Sequence, residues 1–308
     1  MSTTTMRRGE LTAADVTAAP VLRDVLPERR QRGWLMMMLY RYPTVTAGGA
    51  LLVLIILMGI FAPFLGTVDP TALAPAKRTR APSELYWFGT DMLGRDVYSR
   101  VLYGTRVSLE VGFAVAFFSS VFGMAIGVIS GFVRILDAII MRIMDGLMSI
   151  PSILLAIALM ALTRGSVGNV ILAITIAEVP RVSRLVRGIV LSLREQPYVE
   201  AAVASGTRMP KIIWKHILPN TLAPMMVQAT FICAAAMITE AILSFLGAGT
   251  PPTTPSWGNI MAEGRALWQV KPYIVFFPAA FLSVTVLAVN LLGDGLRDAL
   301  DPRMAKRI

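Results

Sequence analysis

Cysteine and histidine each occur once in the 308 residues. Cys233 lies inside a long apolar block, so no disulfide can form within the chain and nothing points to an oxidised secreted scaffold. His216 has no second histidine to join, which excludes a histidine-rich metal site. Charge is also scarce, at 16% Asp, Glu, Lys and Arg against about 25% in ordinary globular domains. No Gly-x-x-x-x-Gly-Lys-Ser/Thr segment is present to cradle nucleotide phosphates, so any ATP hydrolysis belongs to another chain. Ser-x-x-Lys and Gly-x-Gly-Asp are missing too, which removes the signatures of intramembrane serine and aspartyl proteases. No secretory leader is visible, because seven arginines precede the first long apolar run. Internal repeats of 20–50 residues and low-complexity tracts are lacking.

What the chain has in excess is apolar sequence: 55% hydrophobic residues and a mean hydropathy of +0.65. That excess falls in long blocks separated by short charged stretches, a pattern that a soluble fold would leave as exposed apolar helices. A bilayer accommodates it, and a helix needs about 20 apolar residues to cross one. Six such windows predict an all-α membrane protein with spans near 44–65, 107–133, 139–162, 167–190, 221–246 and 273–292. The second is rich in Gly112, Ala114, Ala116, Ser119, Ser120, Gly123, Ala125 and Gly127, small residues that let helix backbones approach closely. The third is broken by Pro151, and the fourth carries Glu178, Pro180, Arg181 and Arg184.

Positive charge sets the orientation. With the N-terminus in the cytoplasm, 20 of the 29 Lys and Arg residues fall on the inner side, which predicts that both termini are cytoplasmic. The net charge of +10 is divided among loops and skewed to one membrane face. It therefore reads as topology and contact with anionic lipid rather than nucleic-acid binding. The expected organisation is a cytoplasmic tail (1–43), a first transmembrane helix (44–65), an extracytoplasmic loop (66–106), a core (107–296) and a cytoplasmic C-terminal tail (297–308). The outer segments, 66–106 and 247–272, are expected to be loops with short helical pieces.

Between the fourth and fifth spans, Glu200 to Ser205 reads as a short helix with Pro197 near its start and an acid in its first turn, where the helix dipole favours one. Gly206 can end it in the left-handed conformation. Ala201, Ala202 and Ala204 keep its surface small enough for a partner's cleft. Pro210 starts a second helical stretch that leads to Pro219-Asn220 and the fifth span.

At Glu200-Ala201-Ala202, Gly206, Ile217 and Leu218-Pro219 the chain resembles the permease subunits of ABC importers, although Ile and Leu are adjacent here where the family spaces them by one. Further matches are Gly89-Thr90-Asp91, Leu93-Gly94-Arg95-Asp96, Leu243-Ser244-Phe245-Leu246-Gly247, Pro255-Ser256-Trp257-Gly258 and the run from Leu292 through Asp301-Pro302-Arg303. Together they narrow the resemblance to the DppC/OppC-like permeases of dipeptide, oligopeptide and nickel importers, over roughly 40–303. It implies a type I importer (MetI-like) permease fold in the inner membrane, with no cofactor and no catalytic residue. Its implied partners are a second homologous permease, two cytoplasmic ATPases and an extracytoplasmic substrate-binding protein. It also implies that a coupling helix near 199–208 engages the ATPases through Glu200, Ala201, Ala202, Gly206 and Arg208, with Leu218 and Pro219 leading into the fifth span.

Glu178 departs from the family pattern, which commonly has a tryptophan ahead of an Arg-x-x-Arg step. Two readings stay open: the acid lines the substrate path and attracts a cationic group, or it pairs with Arg181 or Arg184 on its own helix. Glu240 carries the same choice between the path and pairing within the bundle. Asp145 is expected to pair with Arg142, His216 to be structural, and the methionines to face lipid or fill gaps. Trp34, Trp87, Trp257 and Trp268 suit interfacial anchoring. A stand-alone channel or secondary carrier would also have six spans, yet gives no reason for the Glu-Ala-Ala helix.

Overall fold

The computed structural model describes residues 42–300. Among them the long elements are all helical: α1 Pro43–Ile60, α2 Val97–Phe132, α3 Arg134–Met148, α4 Ser152–Ala161, α5 Val167–Arg194, α6 Pro197–Ala204, α7 Leu218–Phe245, α8 Trp257–Gly264 and α9 Tyr273–Leu300. Four helical stretches are long and apolar enough to cross a bilayer: α1, α2, Met209–Phe245 and α9. The pair α3–α4 makes a fifth if its 88° bend is taken as one broken span. The fourth expected span is present as the 28-residue α5. It falls outside that group because Glu178, Arg181, Arg184, Arg187 and Arg194 interrupt its apolar run.

Several boundaries differ from the sequence reading for local reasons. α2 begins at Val97 rather than near 107, because Asp96 caps it by accepting the Ser99 amide at 2.8 Å. The segment 66–106 is therefore loop only up to that cap. α1 ends at Ile60 and passes into a 3₁₀ turn at Ala62–Phe64. The third window starts in α3, and the break expected at Pro151 is a sharp turn between α3 and α4. Pro219 stands in the first turn of α7, where a missing amide is tolerated, and a π-helical turn at Ile213–Ile217 joins Met209–Ile212 to that helix. α9 runs on to Leu300. Trp34 and the Asp301-Pro302-Arg303 end of the last motif lie outside the described residues.

Glycine decides how the helices meet. Gly123, Gly127 and Gly131 line one face of α2 at four-residue spacing, and Val182, Val186 and Val190 of α5 fit onto them in the same order. A Cβ at these glycines would sit 2.4, 2.6 and 2.5 Å from the facing valines. The two helices thus run parallel in close backbone contact. At Gly112, α2 meets Cys233 and Met237 of α7. Gly48 of α1 meets Ala288 and Leu292 of α9, while Gly293 and Gly295 of α9 meet Thr230 and Val45. These registers alternate the direction of α1, α2, the α3–α4 pair, α5, α7 and α9. Tyr42, the 195–217 segment and Leu300 consequently lie at one end of the bundle, and the 61–96 and 246–272 segments at the other. α1 packs on α9 and α2 and leaves Val53, Leu54, Leu57 and Ile60 exposed, a face suited to lipid.

Candidate functional site

The first site lies at the end of the bundle that holds α6. Pro197 opens this helix, and Glu200 stands in its first turn. Its end is a Schellman motif: Gly206 has φ +77° and donates to the Val203 carbonyl at 2.9 Å, while Thr207 donates to Ala202 at 3.0 Å. Val199, Ile212 and Ile217 are buried and anchor the segment to the bundle. Glu200, Ala201, Gly206 and Arg208 are exposed, Ala202 and Leu218 half-buried, and Pro219 exposed. Tyr198, Val203, Met209 and Trp214 are exposed too, Trp214 at 75%. A cavity of about 390 Å³ lies beside the helix, lined by Phe132, Arg194, Val199, Glu200, Val203 and Met209 among others. Arg194, part of that lining, donates to the Gly131 carbonyl at 2.6 Å and lies over the Phe132 ring. The result is a short stiff helix on an apolar root, with small, uncovered residues at its tip.

At the opposite end, two quoted motifs converge. Asp91 Oδ1 accepts the Leu93 and Arg95 amides at 2.8 and 2.9 Å, which folds the Asp91–Asp96 turn around Gly94 at φ +79°. Asp91 Oδ2 binds Arg95 and Arg100, each at 2.7 Å. Both arginines also pair with Glu263 of α8. Two cations and two anions balance in a mostly buried cluster that staples the 91–95 turn and the start of α2 to α8.

Next to it, Ser256 caps α8, accepting the Asn259 amide at 3.2 Å, and donates to Glu240 at 2.9 Å. Ser244 donates to the same Glu240 oxygen at 2.9 Å. Trp257 is fully buried; its indole N–H donates to the Val101 carbonyl at 3.1 Å. The expected interfacial place for Trp257 is thereby corrected: the indole is a packed core group joining α8 to α2. Gly258 admits the α7 backbone, since a Cβ there would lie 2.7 Å from Ala241 Cα.

The charges of α5 face α3 in part. Arg187 binds Asp137 through both carboxylate oxygens, at 2.5 and 2.6 Å. Arg184 pairs with Asp145, so Asp145 reaches across to α5 instead of joining Arg142 on its own helix. Glu178 is buried, and its nearest cation is Arg181 Nε at 3.7 Å. Of its two open readings, the structure displays the intrahelical pair with Arg181. Glu240 is fully buried and hydroxyl-bound, an anchor for the 247–256 loop in this conformation. His216 is half-buried against Tyr198. Among the described residues no cluster of His, Cys, Asp and Glu could hold a metal ion.

Comparison with known proteins bears on this arrangement. The family model described as "binding-protein-dependent transport system inner membrane component" matches residues 122–306. A probable peptide ABC transporter permease protein of Sinorhizobium fredii is 52% identical, over 87% of this chain and 91% of its own. The chain belongs to the inner-membrane component family of binding-protein-dependent transport systems. A dipeptide transport system permease of Alkalihalophilus pseudofirmus is 45% identical over 81% of this chain and 82% of its own. A glutathione transport system permease of Pectobacterium atrosepticum is 38% identical over 94% and 97%. In three dimensions the fold is similar to that of a chain from an inward-facing MetNI methionine ABC transporter. The TM-score is 0.55 at 22% identity, over 66% of this chain and 96% of that one.

As an ABC permease, the chain is a multi-pass inner-membrane transport component and not an enzyme; its ATPase and its substrate-binding protein are separate partners. The matched region begins inside α2 and takes in both ends of the bundle from α3 onward. Reading the permease sequence missed the roles of Arg95, Arg100 and Glu263, although Asp91 and Arg95 were visible within motifs. Those partners stand 163 and 168 residues apart, and no local spacing could announce them.

Proposed function

We propose that this permease forms half of the translocation path of a peptide importer, paired with a second, homologous permease subunit. In this reading both termini are cytoplasmic, the end of the bundle with α6 is the inner end, and α6 is the coupling helix for the ATPases. Glu200, Ala201, Ala202, Gly206 and Arg208 meet the ATPase cleft, and Leu218-Pro219 carries the movement into α7. Closure of the ATPase dimer on ATP pulls α6, and the bundle rocks from inward- to outward-facing; release of phosphate resets it. The observation that carries this reading is the form of α6, a capped two-turn helix with a bare Ala/Gly surface, rooted by Val199, Ile212 and Ile217. Peptides are the cargo class supported by the names of the most similar relatives.

The test is reconstitution. With both permeases, the ATPases and the binding protein, the vesicles take up peptide only with ATP; flux from this chain by itself, insensitive to ATP, would identify a channel or carrier instead. Gly206→Asp places a Cβ at φ +77° and a charge at the docking surface. Uptake is then lost and ATPase activity uncoupled while membrane insertion stays intact. Normal uptake by this variant, or failure to insert, contradicts the assignment. A ligand screen on the cognate binding protein decides between peptides, glutathione and nickel chelates.

A further inference from the structure

α5 presents one exposed stripe that no apolar surface explains. Arg181, Arg184, Gly188 and Ser192 are exposed at helical spacing, and a Cβ on Gly188 would meet nothing within 4 Å. The seam with α2 uses Val182, Val186 and Val190. At about 100° per residue, Arg184 and Gly188 lie roughly opposite that seam. Arginine, glycine and serine do not make a lipid-facing surface in a span, so the stripe faces water or protein.

Three of the four arginines of this helix, Arg181, Arg184 and Arg187, fall on its middle turns and are not equivalent. Arg184 and Arg187 are each hydrogen-bonded to a carboxylate of α3, Asp145 and Asp137. Arg181 has only Glu178, at 3.7 Å from Nε, beyond hydrogen-bond distance. Glu178 stands behind it, 7% exposed, while the Arg181 side chain is 57% exposed. Its two terminal nitrogens have no hydrogen-bond partner among the described residues. Arg181 is also the fifteenth residue of the 28 in α5, about 20 Å from either end of the helix. A planar fork whose terminal nitrogens stay open while Glu178 lies on its Nε side can receive a second carboxylate, because guanidinium and carboxylate pair through hydrogen bonds.

We propose that Arg181 lines the translocation path and receives an anionic group of the cargo, the terminal carboxylate if the cargo is a peptide. The sequence departure at Glu178 then takes another meaning: the acid orients and partly neutralises Arg181 from behind, and the charge offered to the path is positive. The carboxylate identity rests on the peptide reading given above; the anion-receiving role does not.

Two measurements on the complete reconstituted transporter test this. The first introduces Gly188→Cys, two turns along the stripe, in a chain whose own thiol, Cys233, is buried. Reaction rates with anionic and cationic methanethiosulfonate reagents are compared with and without Arg181→Gln. A water-filled path with a free Arg181 gives faster reaction with the anionic reagent, and Arg181→Gln lowers that preference about threefold. No reaction at this site, which would mean the stripe is sealed against the second permease, overturns the proposal. So does a preference that Arg181→Gln leaves unchanged.

The second measurement compares uptake of Ala-Ala-Ala with that of its C-terminal amide. Arg181→Gln is expected to reduce the free acid about tenfold and the amide little, with Arg181→Lys recovering part of the loss and ATPase stimulation by the binding protein retained. Equal loss of both peptides overturns the carboxylate assignment. If the intact transporter moves neither peptide, the peptide reading fails by itself, and the reagent rates still decide whether Arg181 receives anions.

Discussion

Glu240 shows what a single buried side chain can hold. One of its oxygens takes hydrogen bonds from Ser244 in its own helix and from Ser256, the cap of α8. Ser256 and Thr250 are themselves within 3.3 Å, so one carboxyl oxygen gathers α7, the 247–256 loop and α8. Glu240→Ala removes the acceptor and opens a cavity, a loss of about 3 kcal/mol. Glu240→Gln keeps an acceptor oxygen in place and costs less than half as much. Thermal unfolding of the purified permease in detergent separates these cases; an Ala variant as stable as the wild type would remove the anchor role. The letters of this network were legible in the Pro-Ser-Trp-Gly motif, but their occupations were not. Trp257 has the composition of an interfacial anchor, and only the Val101 carbonyl, 156 residues away, makes it a core residue. Asp145 likewise has an arginine three positions before it and chooses another 39 positions on. Local spacing offers candidates, and packing selects among them.

At the scale of the element, the seam between α2 and α5 is the most legible part of the fold. A span rich in small residues predicts close helix contact; Gly123 and Gly127 are among those residues, and Gly131 joins them in the seam. The identity of the partner was not legible, since any helix with a matching ridge of β-branched residues would fit. The seam makes a sharp expectation. A Cβ at Gly127 lies 2.6 Å from Val186 Cβ and 2.7 Å from the Ser183 carbonyl oxygen. Gly127→Leu therefore forces the helices apart at a cost of about 3 kcal/mol or more. Because the obstruction is partly backbone, Val186→Ala relieves only a portion of it. The double variant should recover some of the lost thermal stability and stay below wild type, whereas full recovery would mean that the carbonyl contact is unimportant. The start of α2 was misjudged for a different reason. Hydropathy locates the apolar part of a helix, while Asp96 and the buried Arg100 extend it through polar sequence that a span-finding window discards.

For the whole molecule, the contact registers alone put Tyr42, Leu300 and the α6 segment at one end, with the Asp91–Arg100–Glu263 cluster at the other. In the orientation proposed from the Lys and Arg distribution, the α6 end lies in the cytoplasm. The two lines of argument are independent, one geometric and one electrostatic, and together they make a prediction that either could fail. Ser205 and Glu84 are both exposed, at opposite ends of the bundle, and the buried Cys233 leaves little background. A membrane-impermeant maleimide should label Ser205→Cys in inside-out vesicles only and Glu84→Cys in right-side-out vesicles only. Labelling of both from the same side would contradict the alternation of α1, α2, the bent α3–α4 pair, α5, α7 and α9. Labelling from opposite sides in the reverse sense would keep the fold and overturn the orientation. Docked ATPases sharpen the expectation, because they should protect Ser205→Cys and leave Glu84→Cys reactive. Protection that depends on Gly206 would connect the accessible end of α6 to the step that moves the bundle.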